Sequence, residues 1–185
     1  MTRTHHGRIA VISGAASGIG QASAVRLAEE GARIVVADRE NAKQTLDLIT
    51  AAGGIATAIV CDVSDPASVA ALKNAVEANI GLCDILVNNA GIYPTQRFDE
   101  ITFEDWRRVL SVNLDSMFLM TKAFAGGMRQ RGWGRVINIA SDSLYHEQGR
   151  RNRVHTIDRN RVRRPGRHCE CNRPGAYADS GLALA

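Results

Sequence analysis

No run of about eighteen apolar residues occurs anywhere in the 185-residue chain, so no membrane-spanning helix is expected. The opening stretch MTRTHHGR has no apolar core either, which argues against a secretory leader and for a cytoplasmic protein. Cysteine is scarce. Cys61, Cys83, Cys169 and Cys171, in a chain without a leader, read as reduced thiols rather than a disulfide framework, and the first two sit in apolar stretches that suit burial. Internal repeats and low-complexity linkers are missing, and no lysine follows Lys122. What remains is ordinary globular composition, 45% hydrophobic and 23% charged, which suffices for one domain with a core.

The formal charge of +4 is unevenly placed: residues 1–149 carry 14 Lys and Arg against 16 Asp and Glu, and residues 150–185 carry 9 Arg against 3 acids. The basicity belongs to the last fifth of the chain alone.

Up to Ser141, short β-branched runs alternate with longer amphipathic stretches, the pattern of βαβ units around a parallel sheet. The expected strands are 8–13, 33–38, 55–63, 84–89 and 135–141, continuous apolar runs that suit burial on both faces. Helices are expected at 19–30, 41–52, 66–80 and 102–131. Gly31 stands where a helix-ending glycine belongs, Ser64-Asp65-Pro66 supplies a cap and a first-turn proline, and Thr102 with Asp105 forms a capping-box variant. Gly126-Gly127 predicts a weak or broken end to the last helix. After Ser141 no convincing strand or amphipathic helix is expected.

The stretch VISGAASGIGQAS places Gly14, Gly18 and Gly20 between the first strand and the first helix. Glycines there let backbone approach a pyrophosphate, while Ser17, Gly18, Ile19 and Gly20 lead into a helix whose free N–H groups and positive dipole end attract its charge. Asp38 ends the second strand, where a carboxylate bonds both ribose hydroxyls of an adenosine and repels a 2′-phosphate. That favours NAD over NADP, with Arg39 leaving mixed use as the minor case. The plainer alternatives are a tight turn for the glycines and a solvated strand-end residue for Asp38.

With SGAASGIG, Asp38, CDV at 61–63, NNAG at 88–91, VN at 112–113 and RVINIAS in order over residues 8–141, the chain resembles the short-chain dehydrogenase/reductase family. The stretch from Asn88 to Phe124 is similar to the family's secondary-alcohol dehydrogenases. The resemblance implies an α/β fold, a doubly wound Rossmann sheet ordered 3-2-1-4-5, with the later family strands missing. It implies hydride transfer between a secondary alcohol and its ketone, a small-molecule alcohol or ketone as substrate, and a family habit of homo-oligomers whose interface is largely missing here. Asp62 and Val63 would hold the adenine, and Asn89, Ala90 and Gly91 would line the nicotinamide-ribose side. Asn113 would order a water in a proton relay, and Ser141 would bond the substrate oxygen; their plainer readings are a polar residue at a helix kink and a strand-end serine.

The family's chemistry also needs a Tyr as acid/base and a Lys one helical turn later, which lowers the phenol's pKa and holds the ribose. The Tyr belongs about 13 residues past Ser141, where this chain has Val154, and Tyr145 and Tyr177 are each followed four places on by glycine. The chain is therefore expected to be inactive, or a non-catalytic NAD-binding remnant.

Residues 1–144 are expected to form the dinucleotide-binding domain and 145–185 an arginine-rich tail, disordered or out of frame. Nine arginines suit phosphate backbones, but the absence of lysines and interleaved aromatics disfavours nucleic acid. Cys169 and Cys171 with His155 and His168 have poor zinc spacing, so no metal is expected. Codons permitted for Arg167 to Gly175, read one base later, include VTVNAIAPG, a strand and Pro-Gly turn of the family's kind. A looser Tyr-x-x-Ser-Lys lies in another frame near His155. Small insertions or deletions in the coding sequence after about codon 144 would explain both, and would leave the edge of the fifth strand apolar and unpaired.

Overall fold

The computed structural model describes residues 4–141 and 154–161, and in the second segment only the course of the backbone. Its elements are β1 (Ile9–Ser13), α1 (Gly18–Glu29), β2 (Arg33–Asp38), α2 (Lys43–Ala51), β3 (Ile55–Val60), α3 (Pro66–Asn79), β4 (Ile85–Asn88), α4 (Phe103–Leu110), α5 (Ser116–Arg131), β5 (Arg135–Ser141) and β6 (Val154–Arg161). The strands lie in the order β3-β2-β1-β4-β5-β6; the first five are mutually parallel and β6 runs antiparallel to β5. The 3-2-1-4-5 order is thus present, built by the crossovers that parallel neighbours require.

Alternation along the strands divides the core. From β1 and β2, Val11, Val35 and Ala37 join Leu72, Val76, Leu86, Met120 and Phe124 on the face covered by α3 and α5. Ala10, Ile12, Ile34 and Val36 point the other way, towards Ala24 and Ala28 of α1 and Ile49 of α2. Each large side chain buried this way stabilises the fold by about 1.5–3 kcal/mol. Along the other edge, β3 is half-exposed, with Ile55 and Val60 open to solvent, so an unbroken apolar run does not guarantee burial on both faces.

Three differences from the sequence-based expectations have physical causes. The expected helix over 102–131 is divided: a π turn at Ser111–Asp115 joins α4 to α5. Second, Gly126-Gly127 does not break α5, which runs to Arg131 and ends on Gly132 at φ 68°. Two interior glycines cost about 1 kcal/mol each relative to alanine. Met120, Phe124 and Met128, at successive i+4 positions, are buried along the same helix and offset that loss. Third, the outer edge of β5 is not left open, because Val154–Arg161 pairs with it from Ser141↔Val154 to Arg135↔Arg161, with an irregularity between Val136 and Asn138. An edge strand presents unpaired N–H and C=O groups to any extended segment, and backbone pairing requires no apolar pattern in the incoming strand. Val154, where the family's tyrosine was sought, opens this strand. Tyr145, Cys169, Cys171, His168 and Tyr177 lie outside the described residues.

Candidate functional site

The C-terminal ends of β1, β2 and β4, together with the loop that follows β3, surround a cleft of about 290 Å³, the place where open α/β sheets hold ligands. Gly14, Ser17, Asp38, Asp62, Val63, Asn89, Ala90 and Gly91 line it, as do Arg39, Glu40, Cys61, Ile92 and Arg108. Chain segments distant in sequence therefore converge on one surface.

Its floor is tied together by Ser13, a residue that the sequence pattern does not single out. Ser13 is 2% exposed, and its hydroxyl oxygen accepts the N–H groups of Asn89 (3.0 Å) and Ala90 (3.1 Å). The Asn89 side-chain amide donates in return to the carbonyls of Ser13 (3.0 Å) and Gly14 (2.8 Å). With the Ser13 hydroxyl donating to the Val87 carbonyl at 3.4 Å, the ends of β1 and β4 are held by five polar contacts. Asn88 extends the connection sideways: its amide donates to Asn138 Oδ1 at 2.8 Å and to the Thr121 hydroxyl at 3.2 Å, joining β4 to β5 and α5.

This arrangement separates the roles of the three glycines. A Cβ on Gly14 would lie 2.7 Å from the Cα of Ala90, and one on Gly20 would lie 2.2 Å from the Gly14 carbonyl oxygen and 2.5 Å from Asn89 Nδ2. Those two positions need glycine for the protein's own packing. Gly18 differs: it has φ 59° and nothing within 4 Å of its missing Cβ. Beyond it α1 begins with no side-chain hydrogen bond from Ser17 and no acid in its first turn. The α1 N-terminus therefore offers N–H groups and a positive dipole end to an anion. Ile19 is half-exposed beside it.

Asp38 is bound more closely to its own backbone than strand-end placement suggests. One carboxylate oxygen accepts the Ala16 N–H at 2.8 Å and the other the Glu40 N–H at 3.0 Å, so the residue also fixes the glycine turn. Each oxygen keeps a further lone pair for a ribose hydroxyl. Asp62 accepts the N–H (2.9 Å) and hydroxyl (2.6 Å) of Ser64, and Arg39 approaches its other oxygen at 3.4 Å. The Ser64 hydroxyl, more than the arginine, holds the Asp62 carboxyl below the usual range. Burial raises the neighbouring Cys61 thiol and pushes Cys83 up to about 12, which leaves both protonated at neutral pH and unsuited to nucleophilic work.

Asn113 sits in the π turn, and its side chain pairs with the backbone of Ile92: Oδ1 accepts the Ile92 N–H at 2.8 Å and Nδ2 donates to the Ile92 carbonyl at 3.0 Å. It therefore buttresses the loop after Gly91 from behind the cleft. π turns recur at functional sites. Ser141 ends β5 on the same carboxyl edge as the cleft; its side chain lies outside what the structure describes. The donors present suit an adenine dinucleotide: an open helix N-terminus for phosphates and a carboxylate with spare lone pairs for ribose, with Asp62 and Val63 also lining the cleft.

The sequence profile of the short chain dehydrogenases matches residues 8–150. The chain is 41% identical over 140 residues to a D-threitol dehydrogenase of Mycolicibacterium smegmatis, an alignment covering 74% of this chain and 54% of that protein. A short-chain type dehydrogenase/reductase from Mycobacterium marinum superposes with a TM-score of 0.74 at 33% identity, covering 83% of this chain and 63% of its own. A metagenomic short-chain oxidoreductase solved in complex with NADP superposes at 0.71 with 37% identity, covering 75% and 64%. The chain spans about half the length of the curated relatives it matches.

Proposed function

Because the chain belongs to the short-chain dehydrogenase family, we propose that its cleft binds NAD in preference to NADP and that its inherited chemistry is hydride transfer between a secondary alcohol and its ketone. The observation that carries the reading is the uncapped N-terminus of α1, open above Gly18 and facing a cleft with Asp38 on its far rim. Ser17, Gly18, Ile19 and Gly20 present backbone N–H groups to the pyrophosphate. Asp38 takes the adenosine ribose hydroxyls, Asp62 and Val63 flank the adenine, and Asn89, Ala90 and Gly91 border the nicotinamide ribose. The dinucleotide, when bound, supplies or accepts the hydride.

Ser141 would bond the reacting oxygen, and Asn113 would hold a water at the Ile92 loop for proton relay. No Tyr-x-x-x-Lys occurs in the chain, so the acid/base pair on which the family's chemistry depends is missing from it. In our reading this chain binds nucleotide and turns over slowly or not at all. The name of the relative that acts on D-threitol supports a small secondary alcohol as the inherited substrate class.

Calorimetric titration of the full chain with NAD is the test, and it suits the molecule better than tryptophan fluorescence. Trp133 is stacked against Arg8 and Arg135 at the end of the sheet remote from the cleft. Saturable binding is expected, together with NADH-dependent reduction of aryl ketones below the ordinary range of about 1–1000 turnovers per second. A folded chain that takes up no NAD would overturn the binding reading, and a rate within that range would overturn the inactivity.

A further inference from the structure

Asp38, Glu40, Asp62 and Arg39 meet at one rim of the cleft, and their charges are paired unevenly. Among the described residues no cation pairs with Asp38, whose carboxylate takes only the N–H groups of Ala16 and Glu40. Arg39, its neighbour in sequence, turns instead to Asp62 at 3.4 Å. Asp62 is itself anchored: Ser64 donates to it twice, and its own N–H donates to the Ser68 hydroxyl at 3.0 Å in the first turn of α3. The acceptor that holds Arg39 is thus fixed to the loop between β3 and α3.

A guanidinium beside the ribose-binding acid is the group best shaped to take a 2′-phosphate, since its planar fork matches phosphate oxygens two at a time. Drawn to Asp62, that charge is balanced elsewhere, and a phosphate arriving at Asp38 meets a carboxylate with no cation beside it. We propose that Asp62 is a specificity-determining residue which, by restraining Arg39, keeps a 2′-phosphorylated ribose out of the cleft. The inference rests on the dinucleotide reading given above and deepens it. Any contact between Asp62 and adenine is common to both nucleotides and cancels in the ratio of their affinities.

The test is calorimetric titration of NAD and NADP into the full-length wild type, Asp62→Asn, Arg39→Ala and the double variant. Asparagine keeps an acceptor for Ser64, and circular dichroism checks the fold. Asp62→Asn is expected to improve NADP relative to NAD by roughly three- to tenfold, and adding Arg39→Ala should remove that gain. Ser64→Ala, which loosens the anchor without changing charge, should shift the ratio the same way by less. A ratio in Asp62→Asn within about twofold of wild type overturns the proposal. So does a gain that survives in the double variant, because selectivity would then lie in the Asp62 charge alone. If neither nucleotide saturates the folded wild type, the dinucleotide reading fails and the proposal falls with it.

Discussion

At the start of α3 the Asp65 carboxylate accepts the N–H groups of Ala67 and Ser68, and at the start of α4 Thr102 and Asp105 satisfy each other's backbone. At the start of α1 no side chain reaches back and no acid stands in the first turn. All three helices begin with the same orphan donors. Two are finished by their own chain, and the third is left open beside the one cleft that strand ends surround. The contrast teaches that helix starts differ in what completes them: α3 and α4 carry their own acceptors, whereas the start of α1 lies open beside the cleft, where the proposed dinucleotide would place its pyrophosphate.

Substitutions that attack the two kinds of helix start should separate stability from binding. The largest effect is expected from Gly20→Ala, whose methyl would overlap the Gly14 carbonyl and the Asn89 amide: a loss of roughly 3 kcal/mol or more in urea unfolding, if the chain folds at all. Ser13→Ala removes the acceptor for two backbone N–H groups and should cost about 2 kcal/mol by the same measurement. Gly18→Ala meets no neighbour, so only its positive φ counts against it, about 1 kcal/mol, while NAD affinity should fall roughly tenfold. Asp65→Ala mirrors it: about 1 kcal/mol lost from a capped helix, with the calorimetric NAD affinity unchanged. Equal effects of these last two on NAD binding would erase the distinction between the helix starts.

The smallest effect concerns pH. The Thr102 hydroxyl holds the Asp105 carboxyl below its ordinary value of 3.8. A carboxyl depressed in the folded state favours folding above that ordinary value, and the contribution disappears as pH falls through the lowered one. Fraying of the first turn of α4, followed by amide chemical shifts, should therefore grow in that acid window and depend less on pH in Thr102→Val, where the backbone N–H of residue 102 still bonds the carboxylate.

The parallel α/β sheet was legible because five β-branched runs alternate with helix-length stretches that carry recognisable caps; its 3-2-1-4-5 order was implied by the family resemblance and not by that pattern. The placement of Asp38 at the cleft was legible from its position at a strand end, and that of Asp62 and Asn89 from the family motifs CDV and NNAG. The Ser13 contacts were not, because a serine closing an apolar strand looks like any other until a partner strand lies beside it. The π turn holding Asn113 was hidden for a similar reason: π turns and regular helix share a local pattern, and the Ile92 backbone that fixes the turn lies 21 residues away. The β6 strand carries no signal of its own, since pairing with β5 comes from backbone groups that every sequence possesses.

The crowding between Gly20 and Asn89 has a consequence for how the chain can vary. A side chain at position 20 needs both the Gly14 carbonyl and Asn89 to give way, yet a smaller residue at 89 strands the carbonyls of Ser13 and Gly14 without a donor. Neither position can drift first. Two residues far apart in sequence are thus locked into a single unit, and a change at either has to be answered by rebuilding the junction between the first and fourth strands.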